Sequence, residues 1–303
     1  MVEEIVVDGR RIEITHPDKM IWESQGITKI DYIHYLINVS HYLIEHAKDR
    51  LLMVWLYPHG IAGKKIEKRS VPESAPEWIS RVFYKNKERM LLNDTATLVW
   101  AANYGAIEFH VPFDRHDKPD FPLEMVFDLD PPNNTSFHLV VEVALKLKEL
   151  LQSLGLLSVP RTSGSSGLQV FVPIEPIYTF EQTRSITTFI ANYFQEQMPK
   201  QITMERVVSK RGNKLYFDYL QLWRGRTMPV VYSPRAKRCA TVATPLTWSE
   251  LEEGIHPTEF TILNIMRRIE EKGDLFKPLT TEKHNQSLHE ILSFIKKTKC
   301  SFY

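Results

Sequence analysis

The sequence predicts an α/β fold built on mixed sheets. Helical and strand-like segments alternate along its 303 residues without a regular βαβ rhythm. No repeat, low-complexity tract or Gly/Ser-rich linker cuts the chain, so it reads as one domain over residues 1–303, with a core at about 5–277. With 43% hydrophobic and 25% charged residues, it can bury a sizeable core and is not expected to be disordered.

Taken in order, Ile5–Ile14 alternates around Asp8-Gly9, the signature of a hairpin. Thr28 caps a helix over Lys29–Ala47, whose apolar face carries Ile33, Leu36, Ile37, Leu43 and Ile44. Leu51–Tyr57 reads as a buried strand, Thr95–Asn103 as a short helix and Ala106–Val111 as a strand. Glu124–Asp130 is a strand stopped by Pro131-Pro132, since proline offers no N–H to a ladder. A helix over about Phe137–Leu154 follows, with Ser136 as its cap. Strands at Leu157–Thr162 and Leu168–Pro173 flank a glycine turn, and a helix near Phe180–Gln197 leads to strands around Thr203–Val208 and Lys214–Leu220. Thr247-Trp-Ser-Glu250 is a capping box, a helix spans about Thr258–Lys272, and the C-terminal tail reads as weakly structured.

Composition also excludes several function classes. The longest strongly apolar run, Leu51–Tyr57, is far too short to span a bilayer, and the N-terminus lacks the pattern of a signal peptide. Two cysteines, Cys239 and Cys300, rule out a disulfide framework or a four-thiolate zinc site and suit a reducing cytosol. A net charge of +1 means that any nucleic-acid binding must come from local clustering of charge.

The sharpest local feature is Phe127-Asp-Leu-Asp-Pro131. Residues two apart on a strand share a face, so Asp128 and Asp130 point the same way. Such carboxylates repel unless a cation sits between them, and hard oxygen ligands suit magnesium or manganese. That is the arrangement two-metal phosphoryl transfer uses; a strand-end pair engaged in turn hydrogen bonds is the alternative. Asp218, in the apolar stretch Lys214–Leu220, needs a partner if buried, either a metal or an arginine.

Arg161-Thr-Ser-Gly-Ser-Ser-Gly167 is a small-residue turn whose backbone N–H groups can cradle phosphates, or a plain hairpin loop. It is not a Walker A loop. Between Glu205 and Arg238 lie nine basic residues and only two acids, with Trp223 and several tyrosines interleaved, the footprint of phosphate or nucleic-acid contact or else a solvated face. A smaller cluster, Lys64, Lys65, Lys68 and Arg69, falls in an expected loop. His110 ends a strand and is structural or catalytic; no histidine shows zinc spacing.

These residues together resemble a known family. Thr15-His-Pro-Asp-Lys19 with Thr28-Lys29, Tyr57-Pro-His-Gly60, Glu108-Phe-His110 and Asp128-Leu-Asp130 come first. Thr162-Ser-Gly-Ser-Ser-Gly167, Phe217-Asp-Tyr-Leu-Gln221, Tyr232-Ser-Pro-Arg235 and Thr244-Pro-Leu-Thr-Trp248 follow in order. In that order they resemble the polymerase domain of bacterial ligase D, the end-joining repair polymerase of the archaeo-eukaryotic primase superfamily. The resemblance implies a primase-like fold of mixed and antiparallel sheets flanked by helices. It implies a nucleotidyltransferase that extends 3′ ends and fills gaps at double-strand breaks, favouring ribonucleotides and using two Mn2+ or Mg2+ ions.

By the same resemblance, Asp128, Asp130 and Asp218 hold the metals and are catalytic. His110, Ser163, Ser166, Gly167, Gln169, Gln221 and Arg235 line the nucleotide site. Arg211 aligns the primer end, while Lys19 and Lys29, with His16, hold a downstream 5′-phosphate. The implied partners are gapped or broken DNA, nucleoside triphosphates, the end-binding protein Ku and a DNA ligase on the same or another chain. The implied location is the cytoplasm, on the nucleoid. The chain has no Lys-x-Asp-Gly ligase motif of its own. It departs from the family at Ser166, where a lysine is usual, and at Gln169, often a histidine. A basic residue is common at Trp55, an aromatic pair at Ile66 and Glu67, and an asparagine at His16. A primer-independent primase and a DNA-end-binding module with weakened catalysis are the competing readings.

Overall fold

The computed structural model describes residues 2–132 and 137–300, of which 33% are helical and 26% lie in strands. Ser136, expected to cap a helix, lies outside the described residues. The chain divides into two compact units. One holds Met1–Asp117, Thr227–Thr244 and Thr258–Asp274; the other holds Lys118–Arg226, Pro245–Pro257 and Leu275–Tyr303. Because the chain passes repeatedly from one to the other, no single linker marks the division.

In the first unit, β1 (Val2–Val7) and β2 (Arg10–Thr15) form the expected hairpin, with Asp8 and Gly9 both at positive φ. A short pair, β3 (Met20–Trp22) and β4 (Ile27–Thr28), leads into α1 (Lys29–Ala47). The Thr28 hydroxyl accepts from the Asp31 N–H, and the Asp31 carboxylate accepts from the Thr28 N–H, closing a capping box. The buried face of α1 packs on α2 (Thr95–Asn103), and the Tyr32 hydroxyl donates to the Ala106 carbonyl at 2.9 Å.

The strands β5 (Met53–Leu56), β6 (Ile66–Lys68), β7 (Arg81–Tyr84), β8 (Lys87–Met90) and β9 (Ala106–Pro112) belong to the same unit. With β15 (Thr227–Pro229, numbered in chain order) they build a four-stranded antiparallel sheet in the order β15-β9-β5-β6; β7 and β8 form a separate hairpin. The Lys64–Arg69 cluster, expected in a loop, thus lies partly on β6. That edge strand is largely exposed and has no apolar alternation to betray it.

The second unit is built on β10 (Glu124–Asp130), β11 (Val159–Thr162), β12 (Leu168–Pro173), β13 (Ile202–Thr203) and β14 (Leu215–Asp218). Their order is β11-β12-β10-β14-β13, antiparallel except for β13 beside β14. Helices α3 (Phe137–Ser153) and α4 (Phe180–Gln197) pack on this sheet. Phe127 and Leu129 of β10 are buried. Phe127 meets Phe217 edge-on at 6.0 Å, and Phe194 of α4 stacks on Phe217 at 5.7 Å. No helix of the described residues is long and apolar enough to cross a membrane.

Three expectations need correction. The strand expected over Thr203–Val208 ends at Thr203. The Thr203 hydroxyl accepts from the Glu205 N–H, the Glu205 carboxylate accepts from the Val207 N–H, and Val208–Lys210 turns as a 3-10 helix. After α5 (Trp248–Glu252), the helix expected from Thr258 starts only at Ile265 as α6 (Ile265–Lys272), because Thr261 is held extended beside Thr241. The tail is not weakly structured throughout: it carries α7 (His289–Cys300), which buries Ile291, Leu292 and Ile295, with Leu288 buried just before it, and packs on α4.

Gly167 opens β12 against the end of β10. A Cβ there would lie 2.8 Å from the Leu129 carbonyl oxygen and 3.2 Å from Asp130 Oδ1. The first contact is with backbone and cannot swing away. Gly167→Ala should therefore cost about 1–3 kcal/mol, as overpacking does. A urea unfolding midpoint unchanged from wild type would show that the two strands can separate freely here.

Candidate active site

The register of the second unit's sheet sets Asp128 of β10 directly opposite Asp218 of β14, with Asp130 two residues along on the same face. Burial first, then the charges of Asp130 and Asp218, push the Asp128 carboxyl well above the usual carboxylate range. Burial and Asp218 likewise raise Asp130, while Arg211 pulls it back. Three carboxylates thus lie close together on the central strand of the sheet and its neighbour. Such a donor set suits a hard divalent cation in kind. The ligand set is not closed, however: among the described residues no group of three His, Cys, Asp or Glu is arranged to hold a metal ion. One Asp218 oxygen is already engaged, accepting from the Tyr216 hydroxyl at 3.0 Å and the Leu220 N–H at 2.9 Å.

The glycine turn sits beside these carboxylates through Gly167. Its interior is organised by Ser163, whose hydroxyl accepts from the N–H groups of Ser165 at 3.2 Å and Gly167 at 3.1 Å. The Ser163 N–H donates to the Gly167 carbonyl at 3.0 Å. Three of the N–H groups expected to meet phosphate are therefore committed within the turn. Ser166 is exposed at its tip. Gln169, expected to line a nucleotide site, is instead buried, and its Oε1 accepts from Arg161 at 2.6 and 3.1 Å. Arg211 lies over the Tyr216 ring at 3.6 Å and donates to the carbonyls of Glu205 and Arg206. Gln221 is partly buried just past β14. The basic run of residues 206–238 divides, its first part in this unit and Arg235–Arg238 in the other. Arg224 is spent on Asp120 and Glu181.

In the first unit the organiser is Glu108, a residue the sequence reading quoted in a motif and gave no role. Its carboxylate accepts from Arg235 Nε at 2.8 Å, the Ala236 N–H at 3.1 Å and the Tyr57 hydroxyl at 3.3 Å, and bonds His110 Nε2 at 3.2 Å. Burial alone would raise this carboxyl. The His110 hydrogen bond and the Arg235 charge overcome it and bring it down to about 2. Burial also lowers His110, so at neutral pH the His110–Glu108 contact joins a neutral imidazole to a carboxylate. Trp55 stacks on His110 at 4.5 Å, with the Lys65 ammonium 3.3 Å from the Trp55 ring centre.

The family model described as "LigD, primase-polymerase domain" matches residues 28–276. The chain belongs to the LigD primase-polymerase domain family. That family is one of nucleotidyltransferases. The chain is 38% identical over 288 residues to the bifunctional non-homologous end joining protein LigD of Bacillus subtilis, covering 95% of this chain and 47% of that protein. It is 28% identical over 279 residues to the multifunctional LigD of Mycolicibacterium smegmatis, covering 90% and 36%. The chain thus spans about half or less of these relatives' lengths. In structure it is similar to the polymerase domain of Mycobacterium tuberculosis ligase D, solved in complex with DNA. The TM-score is 0.83 at 28% identity, covering 89% of this chain and 98% of that one.

The remaining residues that the LigD resemblance singles out lie together near the start of α1. The Lys29 ammonium is buried and donates to the Thr15 carbonyl at 2.7 Å; Lys19 is exposed and donates to the Pro58 carbonyl at 2.9 Å. Burial, then the Lys19 charge, brings the Lys29 ammonium down to about 8. The helix terminus itself offers less than expected. The N–H groups of Lys29, Ile30 and Asp31 are taken by the Lys19 carbonyl, the Pro17 carbonyl and the Thr28 hydroxyl. Any anion here would be held by the two ammonium groups, with exposed His16 at positive φ beside them in sequence.

The Glu108 network gives a pH signature. The folded carboxyl sits at about 2 against an ordinary 4.5, so as pH falls the unfolded chain takes up the proton first. The stabilisation is complete above about pH 4.5 and drains away as pH drops toward 2, a contribution of roughly 3 kcal/mol. Glu108→Gln should be destabilised at neutral pH, and its gap to wild type should narrow as pH falls from about 5 to 3. Urea unfolding of both proteins across that range checks this; a constant gap would contradict it.

Proposed function

We propose that this chain is a template-directed nucleotidyltransferase that fills gaps and extends 3′ ends during repair of double-strand breaks by non-homologous end joining. The observation that carries the reading is the cluster of Asp128, Asp130 and Asp218, three mutually repelling carboxylates on neighbouring strands in a LigD-family chain. In the reaction, the primer 3′-hydroxyl gives its proton to solvent and its oxygen forms a bond to the α-phosphorus of the incoming triphosphate. The bond from that phosphorus to the bridging oxygen breaks, and pyrophosphate leaves. Asp128, Asp130 and Asp218 would hold Mn2+ or Mg2+, which when bound supplies the positive charge that phosphoryl transfer needs. Within the second unit, exposed Ser166 is the candidate for polyphosphate contact. The exposed basic residues of the 206–238 run are candidates for DNA.

The reading extends to ribonucleotide preference and to Ku and a DNA ligase as partners on the nucleoid in the cytoplasm. The names of the relatives support only the setting in non-homologous end joining, and with no Lys-x-Asp-Gly motif in this sequence nick sealing is assigned to a ligase. Primer extension on gapped DNA, with each metal and both nucleotide types, tests it. Asp128→Ala or Asp130→Ala should abolish addition while leaving unfolding without metal near wild type, since removing one of several repelling carboxylates relieves strain. Normal extension by either variant at saturating Mn2+ would sink the metal assignment. Products without a primer would turn the reading to a primase, and tight DNA binding with no incorporation to an end-binding module.

Lys19 and Lys29 are assigned to a downstream 5′-phosphate. A terminal phosphate is a dianion above about pH 6, and Lys29 keeps its proton only below about 8. Gapped DNA with a 5′-phosphate should therefore bind more tightly than the same DNA with a 5′-hydroxyl. The difference should be greatest between those limits and fall as pH rises through about 8. The double change Lys19→Ala and Lys29→Ala should erase it. Fluorescence anisotropy at fixed salt decides; equal binding of both DNAs by wild type refutes the assignment.

A further inference from the structure

The sheet of the second unit contains a row of polar side chains that the reading so far leaves unexplained. Arg161 of β11 stands opposite Gln169 of β12, Gln169 opposite Asp128 of β10, and Asp128 opposite Asp218 of β14. Directly opposed residues on neighbouring strands share a face, so these four side chains form one line across the sheet. Its first two members are buried: Arg161 is 0% exposed and Gln169 3%. The Arg161 guanidinium lies 4.4 Å from the Phe171 ring centre and 5.7 Å from that of Phe276, which keep water from it.

The chemistry of the row is directional. A guanidinium can only donate, so the two bonds from Arg161 Nε and Nη2 fix the Gln169 carbonyl oxygen toward β11. The amide N–H2 is then turned toward the other neighbour, Asp128, directly across the strand pair, where Gln169 lowers a carboxyl that burial raises. An arginine paired directly with Asp128 would form a strong bidentate ion pair and compete with a cation for the carboxylate. With an amide between them, Arg161 supports the Asp128 charge without occupying both its oxygens.

We propose that Arg161 and Gln169 are positioning residues: the arginine fixes the polarity of the glutamine amide, and the amide holds the Asp128 carboxylate in place for a divalent cation. This rests on the nucleotidyltransferase reading and adds that the outer support of the metal carboxylate is a buried, polarity-locked relay. It also assigns Gln169 a place behind the carboxylate rather than against the nucleotide.

The test compares Gln169→Met, Gln169→Glu and Gln169→His in the full chain. Methionine fills similar space, accepts only weakly through its sulfur and donates nothing. Glutamate keeps the bond to Arg161 and loses the donor to Asp128. A neutral imidazole restores one acceptor and one donor. Mn2+ binding is measured directly, by the electron paramagnetic resonance signal of the free ion, alongside thermal unfolding without metal and the kcat and KM of primer extension. Loss of such an outer support typically costs about 10–100-fold in metal affinity. The methionine and glutamate variants should both lose Mn2+ affinity on that scale. Their kcat at limiting Mn2+ should fall, their nucleotide KM at saturating Mn2+ should hold, and histidine should recover most of the loss. If the methionine variant does not fold, the glutamate variant, which keeps its Arg161 partner, still decides. Mn2+ binding by the folded variants equal to or tighter than wild type overturns the relay, as does a change confined to nucleotide KM. Wild type that neither binds Mn2+ nor incorporates nucleotide overturns the nucleotidyltransferase reading, and the relay falls with it.

Discussion

Crowding three carboxylates onto the central strand of a sheet and its neighbour is the constraint around which the second unit is arranged. Each would be cheap in water; here burial and the other two raise Asp128, and burial and Asp218 raise Asp130. The sheet tolerates this because the residues between them are held firmly. Leu129 and Phe217 pair across the strands on the opposite face, and Phe127 and Phe194 close on Phe217. The apolar side of the strands thus offsets the strain on the polar side. The close approach of Gly167 belongs to the same arrangement, since only a residue without Cβ lets the turn sit against Asp130.

Glu108 shows the opposite solution to the same problem. It too is a buried carboxylate on a strand, but donors converge on it from Arg235, Ala236 and Tyr57, with His110 beside them, and it is brought down rather than pushed up. A carboxylate so fully satisfied has no need of a cation and acts as a strut, fixing the side chains around it. Asp128 and Asp130 are instead raised, by burial and by neighbouring carboxylates. Shifts in opposite directions thus separate a carboxylate held by hydrogen bonds and a cation from two crowded by like charges.

Much of this was legible in the sequence because strand parity and helix capping are local. Thr28-Lys29 placed the start of α1, Pro131 the end of β10, and Asp128-Leu-Asp130 the shared face. What escaped was set by partners distant in sequence. β6 and β8 are largely exposed and carry no apolar alternation. Thr261 is extended because of Thr241, and α7 is ordered by α4. Glu108 could not be given a role, and the Arg161 partner of Gln169 was not foreseen, since a buried amide or carboxylate takes its meaning from what lies across the strand. Glu108 might have been found by the argument applied to Asp218: a carboxylate in an apolar strand must have partners, and His110 two residues on shares its face.

The departures from the family pattern take a different meaning once side chains are placed. At Trp55 the family's usual basic residue is missing from the sequence, yet Lys65 at the mouth of β6 sets its ammonium over the Trp55 ring, and Trp55 passes the contact to His110 by stacking. The Lys65 charge also reaches His110. Lys65, the residue just before β6, thus sets a positive charge close to His110. Ile66 and Glu67 differ: Ile66 is exposed and Glu67 is paired with Arg69 at 2.5 Å, so nothing in their surroundings restores an aromatic pair. Charge can be supplied from any side chain long enough to reach, because it acts through space, whereas a stacking surface requires a ring at the site itself. Substitutions that remove a charge are for that reason weak evidence of lost chemistry, and those that remove an aromatic platform are stronger.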